Sequence, residues 1–278
     1  MMVTGWDGFI GAHVCRALES RGHFTFMGPA EITAQSVVEA RVRSVKPDAI
    51  VHLAAQASVL RGLADPALTY LVNVVGTQYL ATAAARHEVE HVVFASSGGC
   101  VYGDMGTRET PWEITSPLRP FEPYGTSKVW AEQVLHQTLR GRASVLRLAN
   151  VYGPGDTRGV VAKLLAQREA FQVNGDGRQT RDFVHVDDVA RCFVAAVEAG
   201  GAVGTLNVGT GRETSVLRLA EMLGIDVVRP PVGSLLPAGE VRRNAVQADA
   251  TRHLLLRRPW TPLETGTGAL LPERGRLL

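Results

Sequence analysis

The 278-residue chain is short of several things, and each shortage excludes a class of protein. It has no excess of either charge: Lys plus Arg total 29 against 27 acidic residues, a net charge of +2. A balance so near neutral gives no basic stripe for nucleic acid. It has no apolar run near the roughly 20 residues of a membrane span, because Arg, Asp, His or Gly interrupts every candidate. Met1-Met2-Val3 leads straight into a turn at Thr4-Gly5, so no cleavable signal is expected. Cysteine is scarce: Cys15, Cys100 and Cys192 cannot all pair, and their separation matches no zinc spacing. Reduced thiols acting as small buried apolar residues in a cytoplasmic protein, with no metal, are the expectation. Internal repeats and low-complexity stretches are also lacking, which excludes arrays.

What is present is 45% hydrophobic residues, enough to build a core. Phe24–Met27, Asp48–Leu53, His91–Ala95 and Ala143–Leu148 are short runs apolar on both sides, as strands covered on two faces must be. Helical periods fill the intervals, roughly Phe9–Arg21, Ala34–Val45, Tyr70–Ala85 and Lys128–Leu139. The alternation predicts an α/β fold of Rossmann type, a doubly wound parallel sheet. Residues 1–153 are assigned to this dinucleotide-binding unit. After Asn150 the texture changes. Gly153-Pro154-Gly155 breaks the chain, and Asn174-Gly175-Asp176-Gly177 marks a tight turn. Asp187 is expected to cap a helix running to about Ala199, followed by a strand at Thr205–Val208 and a helix at Ser215–Leu223. The tail from Arg229 is rich in Pro and Arg. Residues 154–278 are read as a smaller substrate-binding region, with 181–208 returning to the first unit.

Thr4-Gly5-Trp6-Asp7-Gly8-Phe9-Ile10-Gly11 lies between a short strand and the first helix. Glycines at this spacing let the backbone turn tightly and approach a pyrophosphate, with the helix N–H groups facing its charge. An acid usually follows the second strand to hold the adenosine ribose. Here Met27-Gly28-Pro29 stands there, the first acid is Glu31, and no Arg sits in that turn for a 2′-phosphate. NAD is the default reading, with NADP left open. The stretch before Ile50 has room for one helix, so a third strand is reduced to Ala30-Glu31-Ile32 or missing.

Tyr124 and Lys128 are one helical turn apart, on one face. A phenol titrates near 10 in isolation, and a fixed cation beside it favours the phenolate that a general base needs. Upstream, Ser96 and Ser97 precede Gly98-Gly99-Cys100-Val101-Tyr102-Gly103 directly after a strand, where such folds place their ligands.

With these motifs in order, the chain resembles the extended short-chain dehydrogenase/reductase superfamily, in its nucleotide-sugar epimerase/dehydratase branch. The resemblance also takes in His52-Leu53-Ala54-Ala55-Gln56, Asn73-Val74-Val75-Gly76-Thr77 and Arg147–Pro154. It continues through Gly175-Asp176-Gly177 and Arg181–Asp188. It implies that Tyr124 is the catalytic base, that Lys128 binds the nicotinamide ribose and depresses the phenol pKa, and that Ser97 orients the substrate. Ser96 is the alternative for that last role and otherwise sits on the cofactor side. Gly5, Gly8, Phe9, Ile10 and Gly11 would line the pyrophosphate, Leu53, Ala54 and Ala55 the adenosine side, and Asn73 would support the cofactor. Asn150 and Arg181 match positions that hold a sugar nucleotide's diphosphate, and His185 is read as a strand residue. Two departures stand out. Gly98, Gly99 and Cys100 replace the acidic pair of the dehydratases, and Pro237-Ala238-Gly239-Glu240 lacks an expected arginine, with Arg242 or Arg243 as substitutes. The implied function is an NAD-dependent 4-epimerase of a nucleotide-activated hexose. The alternatives are an NAD(P)H-dependent 4-ketoreductase of a nucleotide deoxysugar and a silent dinucleotide-binding sensor. A homodimer through the helices at Tyr70–Ala85 and Lys128–Leu139 is also implied.

Overall fold

The computed structural model describes residues 1–167, 171–228 and 235–271. The opening of the Pro- and Arg-rich tail, residues 229–234, and the last residues, 272–278, lie outside the described residues. The chain begins with β1 (Met2–Thr4), α1 (Phe9–Ser20), β2 (Phe26–Met27), α2 (Gln35–Val45) and β3 (Ala49–His52). Two short helices follow, α3 (Val59–Ala64) and α4 (Pro66–Tyr70), then a π-turn at Leu71–Val75 and α5 (Gly76–Arg86). Next come β4 (His91–Ser97), α6 (Pro123–Leu139), β5 (Ala143–Leu148), β6 (Asn150–Tyr152) and α7 (Val160–Ala166). The remainder holds β7 (Phe171–Gln172), β8 (Thr180–His185), α8 (Val186–Glu198), β9 (Thr205–Val208), β10 (Glu213–Ser215) and α9 (Val216–Leu223). Beyond them lie β11 (Val227–Val228) and β12 (Arg243–Asn244).

A six-stranded sheet in the order β2-β1-β3-β4-β5-β9 forms the centre, every pairing parallel. Period-two alternation explains how one strand serves two cores. In β4, Val93 and Ala95 join a cluster with Val14, Leu18, Val189 and Phe193 of α1 and α8. Val92 and Phe94 face the other way, onto Val38, Leu80 and Leu135 of α2, α5 and α6. The expected doubly wound sheet is thus what the chain builds. Between β2 and β3 it has α2 alone, with no strand at 30–32, so of the two alternatives for the third strand the missing one holds.

The second layer of structure is a small sheet in which β8 pairs with β10, β12 and β6. Its own core holds Tyr152, Leu164, Phe171, Phe183 and Leu219. α8 and β9 lie with the central sheet, whereas β8 belongs to the small one. Two boundaries differ from expectation. Only Phe26–Met27 of the Phe24–Met27 run is strand, since just two residue pairs, Met2 with Phe26 and Val3 with Met27, join it to β1. The cap of α8 is His185 rather than Asp187: the helix starts at Val186, and His185 Nδ1 accepts from the Asp187 N–H at 3.2 Å. Asp187 instead lies in the first turn, where its charge suits the helix dipole.

Candidate active site

The glycine turn is closed as tightly as backbone allows. Gly5 has φ +65°, and a Cβ there would lie 2.7 Å from Ala54 N. One on Gly11 would meet Gly5 O at 2.0 Å. Gly8 caps α1 without any side-chain bond, and no acid occupies the first turn. The N–H groups that open α1 are therefore left for an anion. Phe9 and Ile10 follow in this first turn, Ile10 packing on the core and Phe9 edge-on to His13 at 5.8 Å. This cradle fits a dinucleotide pyrophosphate.

A buried relay fixes the turn to its neighbours. Thr4 Oγ1 accepts from the N–H groups of Leu53 and Ala54 at 3.2 and 3.1 Å, so its proton goes to His52 Nδ1 at 2.7 Å. Thr77 donates to Asn73 O and so accepts from His52 Nε2–H at 2.9 Å. That pattern makes His52 the neutral Nε2–H tautomer. Burial, then the Lys128 charge, lowers its pKa to about 3. Asn73 continues the chain of bonds. Its Oδ1 accepts from Gln56 N at 2.8 Å, and its Nδ2 donates to Ser127 Oγ at 2.9 Å. Ser127 in turn donates to Tyr124 O at 2.7 Å. Asn73 thus acts on the loop carrying Ala54 and Ala55 and on the first turn of α6.

Ser97 ends β4, and α6 brings Tyr124 and Lys128 against it. Lys128 is buried, donating to Ala95 O at 2.9 Å and lying 4.7 Å from the Phe94 ring centroid and 5.9 Å from that of Tyr124. Burial lowers its pKa to about 8, with Glu132 pulling upward. The phenol of Tyr124 is displaced upward, first by burial and then by Cys100 and Glu122, against the Ser97 hydroxyl and Arg158. The depression expected from Lys128 is not found: burial dominates, and the groups that favour the phenolate are Ser97 and Arg158.

The two serines separate clearly. Ser96 Oγ donates to Glu132, which forms a two-bond ion pair with Arg147 at 3.0 and 2.7 Å. Arg147 also donates to Tyr102 Oη at 2.8 Å, and Tyr102 donates to Asn207 at 2.7 Å. Ser96 is therefore committed to a buried structural network running from α6 to β9. Ser97 instead turns its hydroxyl to the Tyr124 phenol and the Cys100 thiol. A Cβ on Gly99 would come within 3.6 Å of Asn150 Oδ1 and 3.8 Å of Ser97 Oγ, so those two groups converge over the glycine.

Glu122 escaped the sequence reading, and Cys100 was read there only as a small apolar residue in place of a dehydratase acid. Glu122, 3% exposed, caps α6 by accepting from the N–H groups of Tyr124 and Gly125 at 2.7 and 2.6 Å. Cys100 faces it: Gly125 has no Cβ, and one there would sit 2.8 Å from Glu122 Oε1 and 3.1 Å from Cys100 Cβ. Burial, then Glu122, pushes the Cys100 thiol up to about 12, so it stays protonated at neutral pH. A Glu two residues before a Tyr in a Pro-rich loop was the available signal. All three cysteines are unpaired; Cys192 is buried and the other two are half-buried. Among the described residues no cluster of metal-ligating side chains occurs, and no helix is long and apolar enough to cross a membrane.

On the far wall, Arg181 of β8 is nearly buried and donates to Thr180 O at 2.8 Å and Glu240 Oε1 at 3.2 Å. Burial lowers its pKa, with Glu240 and Cys100 pulling the other way. The arginines expected to compensate for Pro237 are engaged elsewhere. Arg243 is bound to Glu213 at 3.1 and 2.6 Å, and Arg242 faces Asp176 at 3.8 Å. His185 has a structural part, ending β8 and meeting the Tyr152 ring edge-on at 5.3 Å.

Comparisons with known proteins bear on the family and the fold. A UDP-glucose 4-epimerase of Mycolicibacterium smegmatis is 36% identical over 95% of both chains. The structure of a UDP-glucose 4-epimerase from Thermotoga maritima, solved with UDP-glucose, superposes with a TM-score of 0.87 at 31% identity, covering 96% of this chain and 95% of that one. One from Thermus thermophilus, solved with NAD, gives 0.82 at 30% identity over 96% of each. Proteins named as dTDP-glucose 4,6-dehydratases are among the relatives too. The sequence model of the NAD dependent epimerase/dehydratase family matches residues 1–209, and with the sheet, the glycine turn and the Tyr124–Lys128 helix in place the chain belongs to that family.

Proposed function

We propose that the chain is an epimerase of a nucleotide-activated hexose that inverts C4 by transient oxidation, with Ser97, Tyr124 and Lys128 as its catalytic residues. The observation that carries this reading is the bond of the Ser97 hydroxyl to the Tyr124 phenol, with the buried Lys128 ammonium 5.9 Å from the phenol ring centroid.

Tyr124 as phenolate takes the proton of the sugar 4-hydroxyl, which Ser97 holds toward it. NAD held over Gly5–Gly11 would supply the hydride acceptor and donor for C4. Lys128 would hold its nicotinamide ribose and keep a cation near the base. Arg181 and Asn150 grip the diphosphate, the guanidinium offering two parallel N–H bonds to phosphate oxygens. Glu240 keeps that guanidinium oriented beforehand. Released from Ser97 and Tyr124, the 4-keto sugar turns about its diphosphate anchor, and Tyr124 returns the proton to the alkoxide of the opposite configuration. The glycines and the neutral Cys100 thiol beside Ser97 offer no carboxyl pair for loss of water, which supports epimerisation over dehydration.

The decisive assay is incubation with UDP-glucose or UDP-galactose without added cofactor. Interconversion is expected, and Tyr124→Phe should lower its rate by about a thousandfold. One observation favours a second reading, a 4-ketoreductase: burial keeps the phenol protonated, and a protonated phenol is the donor a 4-ketone requires. That reading replaces the first when interconversion fails and a 4-keto sugar nucleotide consumes NAD(P)H mole for mole. A homodimer is part of the proposal, supported by exposed Leu68, Leu71 and Trp130 beside α4 and α6. A cytoplasmic location is the companion proposal, supported by the unpaired thiols.

A further inference from the structure

The carboxyl end of β2 is where a sheet of this kind meets the adenosine ribose of a dinucleotide, and the chain brings no carboxylate to it. Gly28 and Pro29 follow Met27 directly. The next acid, Glu31, is turned onto its own loop: its Oε1 accepts from the Thr33 N–H at 3.0 Å and from the Thr33 hydroxyl at 2.6 Å. What does reach the strand end is a cation from α2. Arg41 Nε donates to the Met27 carbonyl at 2.8 Å. Among the described residues no carboxylate pairs with this guanidinium, so its two terminal nitrogens keep their N–H groups for another acceptor. Local sequence hides the contact, because Arg41 lies fourteen positions beyond Met27.

The position is held from both sides. Val38 and Val42, both fully buried, fix α2 against the sheet, so Arg41 is carried by an anchored helix. Gly28 is pressed on the phosphate turn: its N–H donates to Val3 O at 2.8 Å, and a Cβ there would lie 2.8 Å from Thr4 Cα. The guanidinium is therefore bound one residue from the point where the end of β2 touches the glycine turn. An acid at this place would favour a free ribose hydroxyl and repel a phosphate. A guanidinium does the reverse, offering parallel N–H bonds to phosphate oxygens. Asp7, in the neighbouring turn, is exposed, and salt screens its repulsion.

We propose that Arg41 forms a 2′-phosphate subsite at the adenosine end, so that the chain binds 2′-phosphorylated nicotinamide dinucleotides as well as NAD. The inference rests on the dinucleotide reading of Thr4–Gly11 and is independent of which sugar reaction Tyr124 performs.

Titration calorimetry on the full chain tests it with 2′,5′-ADP, 5′-AMP and NAD as probes. In the natural protein 2′,5′-ADP should bind about tenfold more tightly than 5′-AMP, a gain typical of one charge-assisted contact. Arg41→Ala should abolish that gain while leaving 5′-AMP binding and thermal unfolding unchanged, since the side chain belongs to no core. Arg41→Lys, which keeps the charge but loses the fork, should restore part of it. Equal affinities in the natural protein with NAD binding intact overturn the subsite alone. A gain that survives Arg41→Ala overturns the role of this residue. Failure of NAD and both nucleotides to bind removes the dinucleotide reading and the subsite with it.

Discussion

At the scale of single residues, Tyr124 is surrounded by groups that disagree about its proton. Burial and the Glu122 carboxylate favour the phenol, whereas Arg158 and the Ser97 hydroxyl favour the phenolate. Glu122 is an uncommon helix cap, a place where Ser, Thr, Asp or Asn ordinarily serves. Its two N–H bonds and its position at a helix N-terminus support the charged form against burial. Removing that charge lowers the cost of making a second anion beside it. Glu122→Gln should therefore move the acidic limb of the kcat/KM profile to lower pH, by about one unit for charges several ångströms apart. Cys100, Arg181 and Lys128 also face this space, and the substitution leaves them in place. A profile that falls in height without moving along the pH axis would show that Glu122 only caps α6. Lys128 sets the opposite limb. With its pKa lowered to about 8, the ammonium is present below that pH and lost above it, so activity should decline as pH rises through 8.

Between elements, the buried pair of Glu132 on α6 and Arg147 on β5 joins the catalytic helix to the sheet. Both side chains are almost fully enclosed, with Ser96 and Tyr102 completing their bonds. Breaking such a pair leaves an uncompensated charge, worth roughly 3–5 kcal/mol, whereas replacing both partners by apolar groups is far milder. Arg147→Met should unfold the chain at clearly lower denaturant, and Glu132→Leu with Arg147→Met should recover most of the loss in a double-mutant cycle. Equal destabilisation in the single and double variants would mean that packing, not charge, holds α6 to β5. The His52 relay predicts a pH effect of definite sign. Its folded pKa lies near 3 against 6.5 for a free imidazole, so the unfolded chain binds the extra proton between those values. Stability from this residue is full above 6.5 and falls as pH drops toward 3. His52→Gln should be less stable at pH 7 yet lose about one proton's worth of acid sensitivity, measured by denaturant unfolding from pH 7 to 4.

At the scale of the whole molecule, the parts readable from sequence are those whose physics is local. Two-sided apolar strands, glycines at a turn and a Tyr–Lys spacing of one helical turn each announce themselves within ten residues. The parts that were not readable depend on partners far apart in the chain. Arg147 sits in an apolar strand because Glu132 crosses to meet it, and Arg41 reaches Met27 only after α2 folds back. The cap of α8 was missed for a different, local reason: His185 accepts from the Asp187 N–H only two residues on, and histidine is not among the residues by which a helix start is ordinarily read. The outer face of the catalytic helix makes the same point about assembly. Trp130, two residues from Lys128, points outward, half exposed, and stacks on Tyr70 at 5.0 Å between ring centroids. Leu68 and Leu71, on either side of Tyr70 in the chain, are 47% and 43% exposed, and Leu60 of α3 is 64% exposed. Large exposed apolar side chains gathered on neighbouring helices are candidates for an interface, where an aromatic such as Trp130 carries much of the energy, and the proposed homodimer would use them. Sedimentation should therefore give twice the 29.9 kDa mass of one chain, and Leu68→Asp with Leu71→Asp should give the monomer. Because α6 carries Tyr124 and Lys128 on its inner face and Trp130 on its outer one, the monomer should also show a lower kcat with substrate affinity less affected. A natural protein that sediments as one chain, or an aspartate variant that still pairs, would remove this face from the assembly and leave the helix to be held by Glu132 and Arg147 alone.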